Sequence, residues 1–209
     1  NADSGNRISI EIAKGILRRV SKKSREGARQ PAQKAGVSFE EACSVFLEAT
    51  FTPLSHLRPG KWRIERVTGR GRVELAKYEQ YAHLAELQRL LEEQPQFRAV
   101  INADYMIAPD IVIFREPESN ETINAPEEFV NESIAKLSSL RKRYNPNFLL
   151  HASISCKWTF RSDRAQNSRS EALTLIRNRK GRAPHIAVVT GEPLPGRLAS
   201  LALGTGDLD

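Results

Sequence analysis

The chain has 209 residues, 40% hydrophobic and 27% charged, with a net charge of +7 and a pI near 9.6. That length buries a real core within one domain, and that composition excludes a disordered or fibrous chain. No apolar run approaches the roughly 20 residues of a membrane span, no signal peptide is visible, and Cys43 and Cys156 form neither a disulfide framework nor a Cys-x-x-Cys zinc site. A soluble protein of a reducing cytoplasm is expected, and the positive charge favours an anionic partner, nucleic acid first. The chain starts without Met and stops at Leu208-Asp209, so residues 1–209 are expected to be a single catalytic domain truncated at both ends.

After a polar opening, Ile8, Ile12, Ile16, Leu17 and Val20 recur at helical spacing. Ser21 to Gly36 is rich in Lys, Arg, Gln and Gly and reads as an exposed basic loop. Ser38 with Glu41 makes a capping box for a helix burying Phe39, Cys43, Phe46 and Leu47, which puts Glu40 near its N-terminus, where the dipole favours a carboxylate. Pro53 ends that pattern. Gly69 to Arg72 is a turn, and a long helix is expected from Val73 to Glu93 with Leu84, Leu87 and Leu91 on one side.

Ile111 to Phe114 is a continuous apolar strand, as in a sheet covered on both faces. An acidic loop, Arg115 to Pro126, precedes a helix expected from Glu127 to Arg143, with Phe129, Val130, Leu137 and Leu140 inward. Phe148 to Phe160 is the central strand. Alternation puts Ser153, Ser155 and Lys157 on one face and Ile154, Cys156 and Trp158 on the other. A helix follows from Ser170 to Arg179, or from as early as Asp163. Gly181 ends it, and His185 to Thr190 is the next strand. Strand, helix and strand at this spacing give a crossover unit and an α/β fold with a mixed central sheet flanked by helices.

Asp110, Lys157 and Glu171 carry the chemistry. Each alone has a plainer account, as a loop end, a snorkelling strand-end lysine and a first-turn helix carboxylate. Together they put two carboxylates suited to Mg²⁺ beside an ammonium, the minimum for hydrolysing a phosphodiester. On this reading Asp110, Glu171 and the main-chain carbonyl of Cys156 are metal ligands. Lys157 orients the attacking water and offsets phosphate charge, and Glu40 is an outer or second-metal carboxylate. Arg161-Ser162-Asp163-Arg164 suits G·C pairs, since Arg binds guanine O6 and N7 and Asp accepts from cytosine N4. A phosphate-binding turn with an internal salt bridge fits the same residues. From Arg141 to Arg182 eleven Lys and Arg face only Asp163 and Glu171.

The block from Leu150 to Asn167, Leu-His-Ala-Ser-Ile-Ser-Cys-Lys-Trp-Thr-Phe-Arg-Ser-Asp-Arg-Ala-Gln-Asn, closely resembles the NgoMIV family of type II restriction endonucleases. The resemblance continues through Arg177 to Arg182, Ala202 to Gly206, Tyr78 to Leu84 and Ile12 to Ile16, and is weak over Leu17–Gln30 and Arg115–Asn147. It implies the restriction-endonuclease-like, PD-(D/E)XK fold and Mg²⁺-dependent cutting of GCCGGC or a related CCGG-centred site. In that family serine, here Ser155, replaces the carboxylate two residues before the lysine, and its duty passes to the downstream helix, matching Glu171. The resemblance lines the active site with Asp110, Ser155, Lys157, Glu171 and Glu40. Arg161, Asp163 and Arg164 would read the inner pairs from the major groove, Gln33 would probe the minor groove, and Asp3 and Arg197 would contact the outer pair. The Asp3-Ser4-Gly5 order departs from the family's, which leaves Asp3 loosely aligned. Family members act as homodimers paired into tetramers on double-stranded DNA, so a homo-oligomer is expected.

Three other readings use the same residues. A DNA-binding module without cleavage would not need Asp110 and Glu171 about Lys157. A repair or junction-resolving nuclease of the same fold would follow DNA structure rather than CCGG. Ser155 as a nucleophile with Lys157 as its base lacks an oxyanion-hole motif.

Overall fold

The computed structural model describes residues 5–20, 31–67, 75–94, 96 and 109–202, without the side chains of Ala32, Ser162, Asp163 and Ser200. A four-stranded mixed sheet holds the molecule together, in the order β1 (Trp62–Arg66), β2 (Ile111–Arg115), β3 (Leu149–Lys157), β4 (His185–Thr190). The pairs β1–β2 and β2–β3 are antiparallel, whereas β3 and β4 run parallel. A parallel neighbour needs a crossover, which α5 (Ser162–Arg177) supplies. Further helices are α1 (Arg7–Val20), α2 (Ala32–Phe51), α3 (His83–Glu93), the single turn α4 (Asn120–Ile123) and α6 (Pro195–Ala202). Among the described residues no helix is long and apolar enough to cross a membrane.

β2 is apolar from Ile111 to Phe114 because both of its faces are covered there. Ile111 and Ile113 join Ala152, Ile154 and Cys156 under Phe39, Cys43 and Leu47 of α2. Val112 and Phe114 join Leu150 under Leu75, Tyr78, Tyr81, Leu84 and Leu175. Leu150 reaches this second cluster through an irregularity in the β2–β3 ladder. Ile113 pairs with Ala152 and Phe114 with Leu150, so His151 is an extra residue and the alternation resets there. His151 is left among the rings of Phe51, Trp62 and His185. Burial and the neighbouring cations push its pKa down to about 4.

Several elements differ from the sequence reading. α2 starts at Ala32 with Pro31 as its N-cap and no side-chain cap. Residues 31–36 are therefore not loop, Ser38 and Glu41 form no capping box, and Glu40 lies in the third turn, away from the positive end of the dipole. Residues 21–30 lie outside the described residues, as do 68–74. The helix expected from Val73 resolves into two 3-10 turns, Leu75–Lys77 and Glu79–Tyr81, before α3 begins at His83. No helix spans 127–143. Leu137 is fully exposed there, and Arg141 rather than a leucine is buried. α5 starts at Ser162, one residue before the earliest start expected, and β1 and α6 were not anticipated.

Candidate active site

Register brings the C-terminal ends of β1, β3 and β4 and the start of β2 to one edge of the sheet. Arg66 pairs with Ile111, Ile111 with Ile154, and Lys157 with Thr190. Asp110 sits just before β2 with its main chain fixed from both sides. Its N–H donates to the Ile154 carbonyl at 3.1 Å, and its carbonyl accepts from the Val67 N–H at 2.9 Å. The carboxylate therefore has a defined direction. Its Oδ2 accepts from the Cys156 N–H at 2.6 Å and from Lys157 Nζ at 2.8 Å. The pair is largely sheltered, with Lys157 and Asp110 side chains 18% and 17% exposed. A sheltered ammonium needs such a partner, because an unpaired one would cost several kcal/mol, about the penalty of a buried ion.

Glu171 comes from the third turn of α5, and the Ser155 hydroxyl donates to its Oε2 at 3.0 Å. Burial pushes the Glu171 carboxyl above the ordinary carboxylate range. The Ser155 hydroxyl and the Lys157 ammonium oppose that push, and the Asp110 charge adds to it. Burial and Asp110 likewise push Glu40 up, against Lys157 and Arg66. Asp110, Glu40 and Glu171 thus crowd negative charge around one ammonium. Cys156 turns its thiol into the core beside Cys43, where burial raises its pKa far from any thiolate role.

In front of these groups a cleft of about 310 Å³ opens between α2 and α5. Gln33, Gly36, Val37 and Glu40 line it from α2, Cys156, Lys157 and Trp158 from the strand end, and Arg164 and Asn167 from α5. Arg164 is tied to the turn that leads out of β3, since its Nη1 donates to Thr159 Oγ1 at 2.9 Å. The arrangement joins carboxylate oxygens, an ammonium and an arginine at one open site. That donor set suits a polyanion handled with a hard cation.

The comparisons with known proteins bear on this geometry directly. The model of the NgoMIV restriction enzyme family matches residues 1–209. The Type II restriction enzyme NgoMIV of Neisseria gonorrhoeae is 50% identical over 209 residues, which is 100% of this chain and 73% of that protein. The chain belongs to the NgoMIV restriction enzyme family. It is a type II restriction endonuclease, a site-specific deoxyribonuclease, and its mixed sheet with flanking helices accords with the restriction-endonuclease-like fold.

Within this family member the expected residues fall into three groups. Asp110, Ser155, Lys157, Glu171 and Glu40 converge, and the Cys156 main chain lies among them. Gln33 and Arg164 line the same cleft, and Arg161 is exposed at the N-cap of α5. Arg197 lies on α6 and is not among the residues lining the cleft, while the Asp163 side chain and all of Asp3 lie outside what is described. Sequence reasoning missed Asn167 and gave Trp158 no role at the cleft. Asn167 had a signal, since it follows Arg164 by three residues and so shares its helix face. Alternation places Trp158 on the Cys156 face, and its ring does pack on Phe39, which covers the cluster holding Cys156, while staying 43% exposed at the cleft.

Proposed function

We propose that this restriction endonuclease cuts double-stranded DNA at a CCGG-centred palindrome, GCCGGC first, leaving 5′-phosphate and 3′-hydroxyl ends. The observation that carries the reading is the single Asp110 oxygen shared by the Lys157 ammonium and the Cys156 N–H, with Glu171 held alongside through Ser155. Asp110 and Glu171 each spend one oxygen on these donors, which leaves Oδ1 and Oε1 for a cation. Among the described residues no three His, Cys, Asp or Glu side chains gather tightly enough to hold an ion alone. Mg²⁺ does not require that, because it keeps several waters and takes one or two carboxylates plus substrate phosphate. Asp110, Glu171 and the Cys156 carbonyl are therefore a fitting donor set.

Bound there, Mg²⁺ would supply Lewis acidity at the phosphate and lower the pKa of a water. The protein's own groups do the rest. Lys157 orients the attacking water and offsets phosphate charge, Ser155 fixes the rotamer of Glu171, and Glu40 closes the site as an outer carboxylate. Arg161, Asp163 and Arg164 read the inner G·C pairs from the major groove, Gln33 probes the minor groove, and Arg197 and Asp3 contact the outer pair. A palindrome calls for a two-fold pair of chains, so the working unit is a homodimer or a tetramer of such pairs, acting in the bacterial cytoplasm.

A plasmid of known sequence, digested with and without Mg²⁺ and its ends mapped, tests this. Cuts confined to CCGG-centred sites and absent without Mg²⁺ are expected. Ends scattered over unrelated sequences, or cutting that survives removal of divalent cations, would overturn it.

A further inference from the structure

We infer that Trp158 is a DNA-contact residue, whose ring packs on the deoxyribose backbone beside the phosphate addressed by Lys157 and whose indole N–H donates to a phosphate oxygen. The inference rests on the nuclease reading above and adds a residue that this reading leaves unused. Trp158 follows Lys157 directly and lines the same cleft as Glu40 and Arg164.

The ring is braced on two sides. Phe39 of α2 packs against it with centroids 5.4 Å apart and planes inclined by 59°. At Gly191, beyond β4, any Cβ would collide with Trp158 Cε3 and Cζ3, so only glycine lets the ring sit where it does. A side chain held this firmly has already lost its rotamer freedom, which lowers the cost of using it in recognition. Trp158 is nevertheless 43% exposed. Among the described residues nothing accepts its Nε1–H.

Trp62 shows what a purely structural tryptophan looks like in this fold. Its Nε1–H donates to the Arg58 carbonyl at 2.7 Å, and its ring packs on Phe51 and His151. A ring needed only to cover Phe39 could be buried in the same way. Trp158 instead presents apolar area and a free donor in the cleft that Lys157 also lines, the combination a sugar–phosphate backbone takes up.

The two tryptophans are the whole complement of the chain, which makes the test spectroscopic. Trp62 pairs with Arg115 at the opposite end of β1 from Arg66, so it serves as an internal control. The probe is a short GCCGGC duplex titrated without divalent cation, with binding followed in parallel by gel shift. Wild-type emission should change as the duplex binds, and W158F should bind with emission unchanged. W158A should bind on the order of tenfold more weakly, with the rate at saturating duplex and Mg²⁺ nearly retained. G191A, which displaces the ring while keeping it, should resemble W158A in affinity. Wild-type emission unmoved by a duplex that is demonstrably bound, or W158A binding as tightly as wild type, would overturn the inference alone. A wild-type protein that binds no duplex would overturn the nuclease reading along with it.

Discussion

Glu171 is under two opposed demands. Its proposed role as a metal ligand needs it ionised, whereas its surroundings push the carboxyl above the ordinary range, burial most and the Asp110 charge in addition, despite the opposing Ser155 hydroxyl and Lys157 ammonium. Over that window the native state keeps a proton that the unfolded chain has released, so this group's contribution to stability falls as pH rises through it. E171Q removes the charge and keeps an acceptor for Ser155. It should abolish cleavage yet raise metal-free stability at neutral pH by about 0.5–2 kcal/mol, the usual gain when an activity-bound strain is relieved. The gain should shrink as pH falls and the wild-type carboxyl takes up its proton. Urea melts of both proteins at neutral and acidic pH check this, and a variant less stable than wild type throughout would mean that Glu171 supports the fold it occupies.

The elements legible in the sequence were those whose pattern has one physical cause. β2 is apolar because both its faces are covered, and Lys157 ends a strand whose alternation separates hydroxyls from thiol, so three members of the site could be read together. The segment 127–143 failed for an identifiable reason. Phe129, Val130, Leu137 and Leu140 imitate helical spacing, but asparagine side chains offer its backbone other partners. Asn124 Oδ1 accepts from the Phe129 and Val130 N–H groups at 3.0 and 2.9 Å, and Asn131 Oδ1 accepts from the Ser133 and Ile134 N–H groups at 2.9 Å. Arg141, fully buried, gathers the resulting turns by donating to Asn120 Oδ1 at 3.0 Å and to the Asn131 and Ile134 carbonyls at 2.9 and 2.7 Å. β1 was overlooked because its alternation, though complete from Trp62 to Arg66, runs for only five residues, and the start of α2 because Gly36 and the basic residues before it read as loop. R141M should therefore destabilise the protein by on the order of 3 kcal/mol, since it removes three hydrogen bonds that tie Asn120, Asn131 and Ile134 together, while a cut at the specific site persists in whatever fraction folds. Denaturant midpoints measure it, and a shift within the scatter of surface substitutions would show that the turns hold without Arg141.

Across the whole molecule the basic stretch is not one face. Its eleven cations from Arg141 to Arg182 are dispersed by the fold. Arg141 is interior, Arg143 pairs with Glu132 at 2.8 Å, Lys157 is held by Asp110, and Arg164 is bonded to Thr159. Arg161 stands exposed at the active-site end of α5, whereas Arg177, Arg179, Lys180 and Arg182 are exposed at or beyond its other end. Sixteen residues at helical rise separate the two ends by about 24 Å, more than the width of a duplex seated in the cleft. Net charge draws DNA to the molecule, but only the cations at the cleft displace counterions from the bound site. R161Q should therefore cost about 1–3 kcal/mol of specific affinity for the lost guanine contact, and lower the slope of log affinity against log salt by about 0.9 for any phosphate the same cation also neutralises. R177Q combined with R179Q should leave the slope unchanged and reduce only the rate of association at low salt. Affinities for a specific duplex across a salt series, with association rates by stopped flow, separate the two variants. Equal slope changes in both would mean that the duplex runs along α5 and reaches its far end.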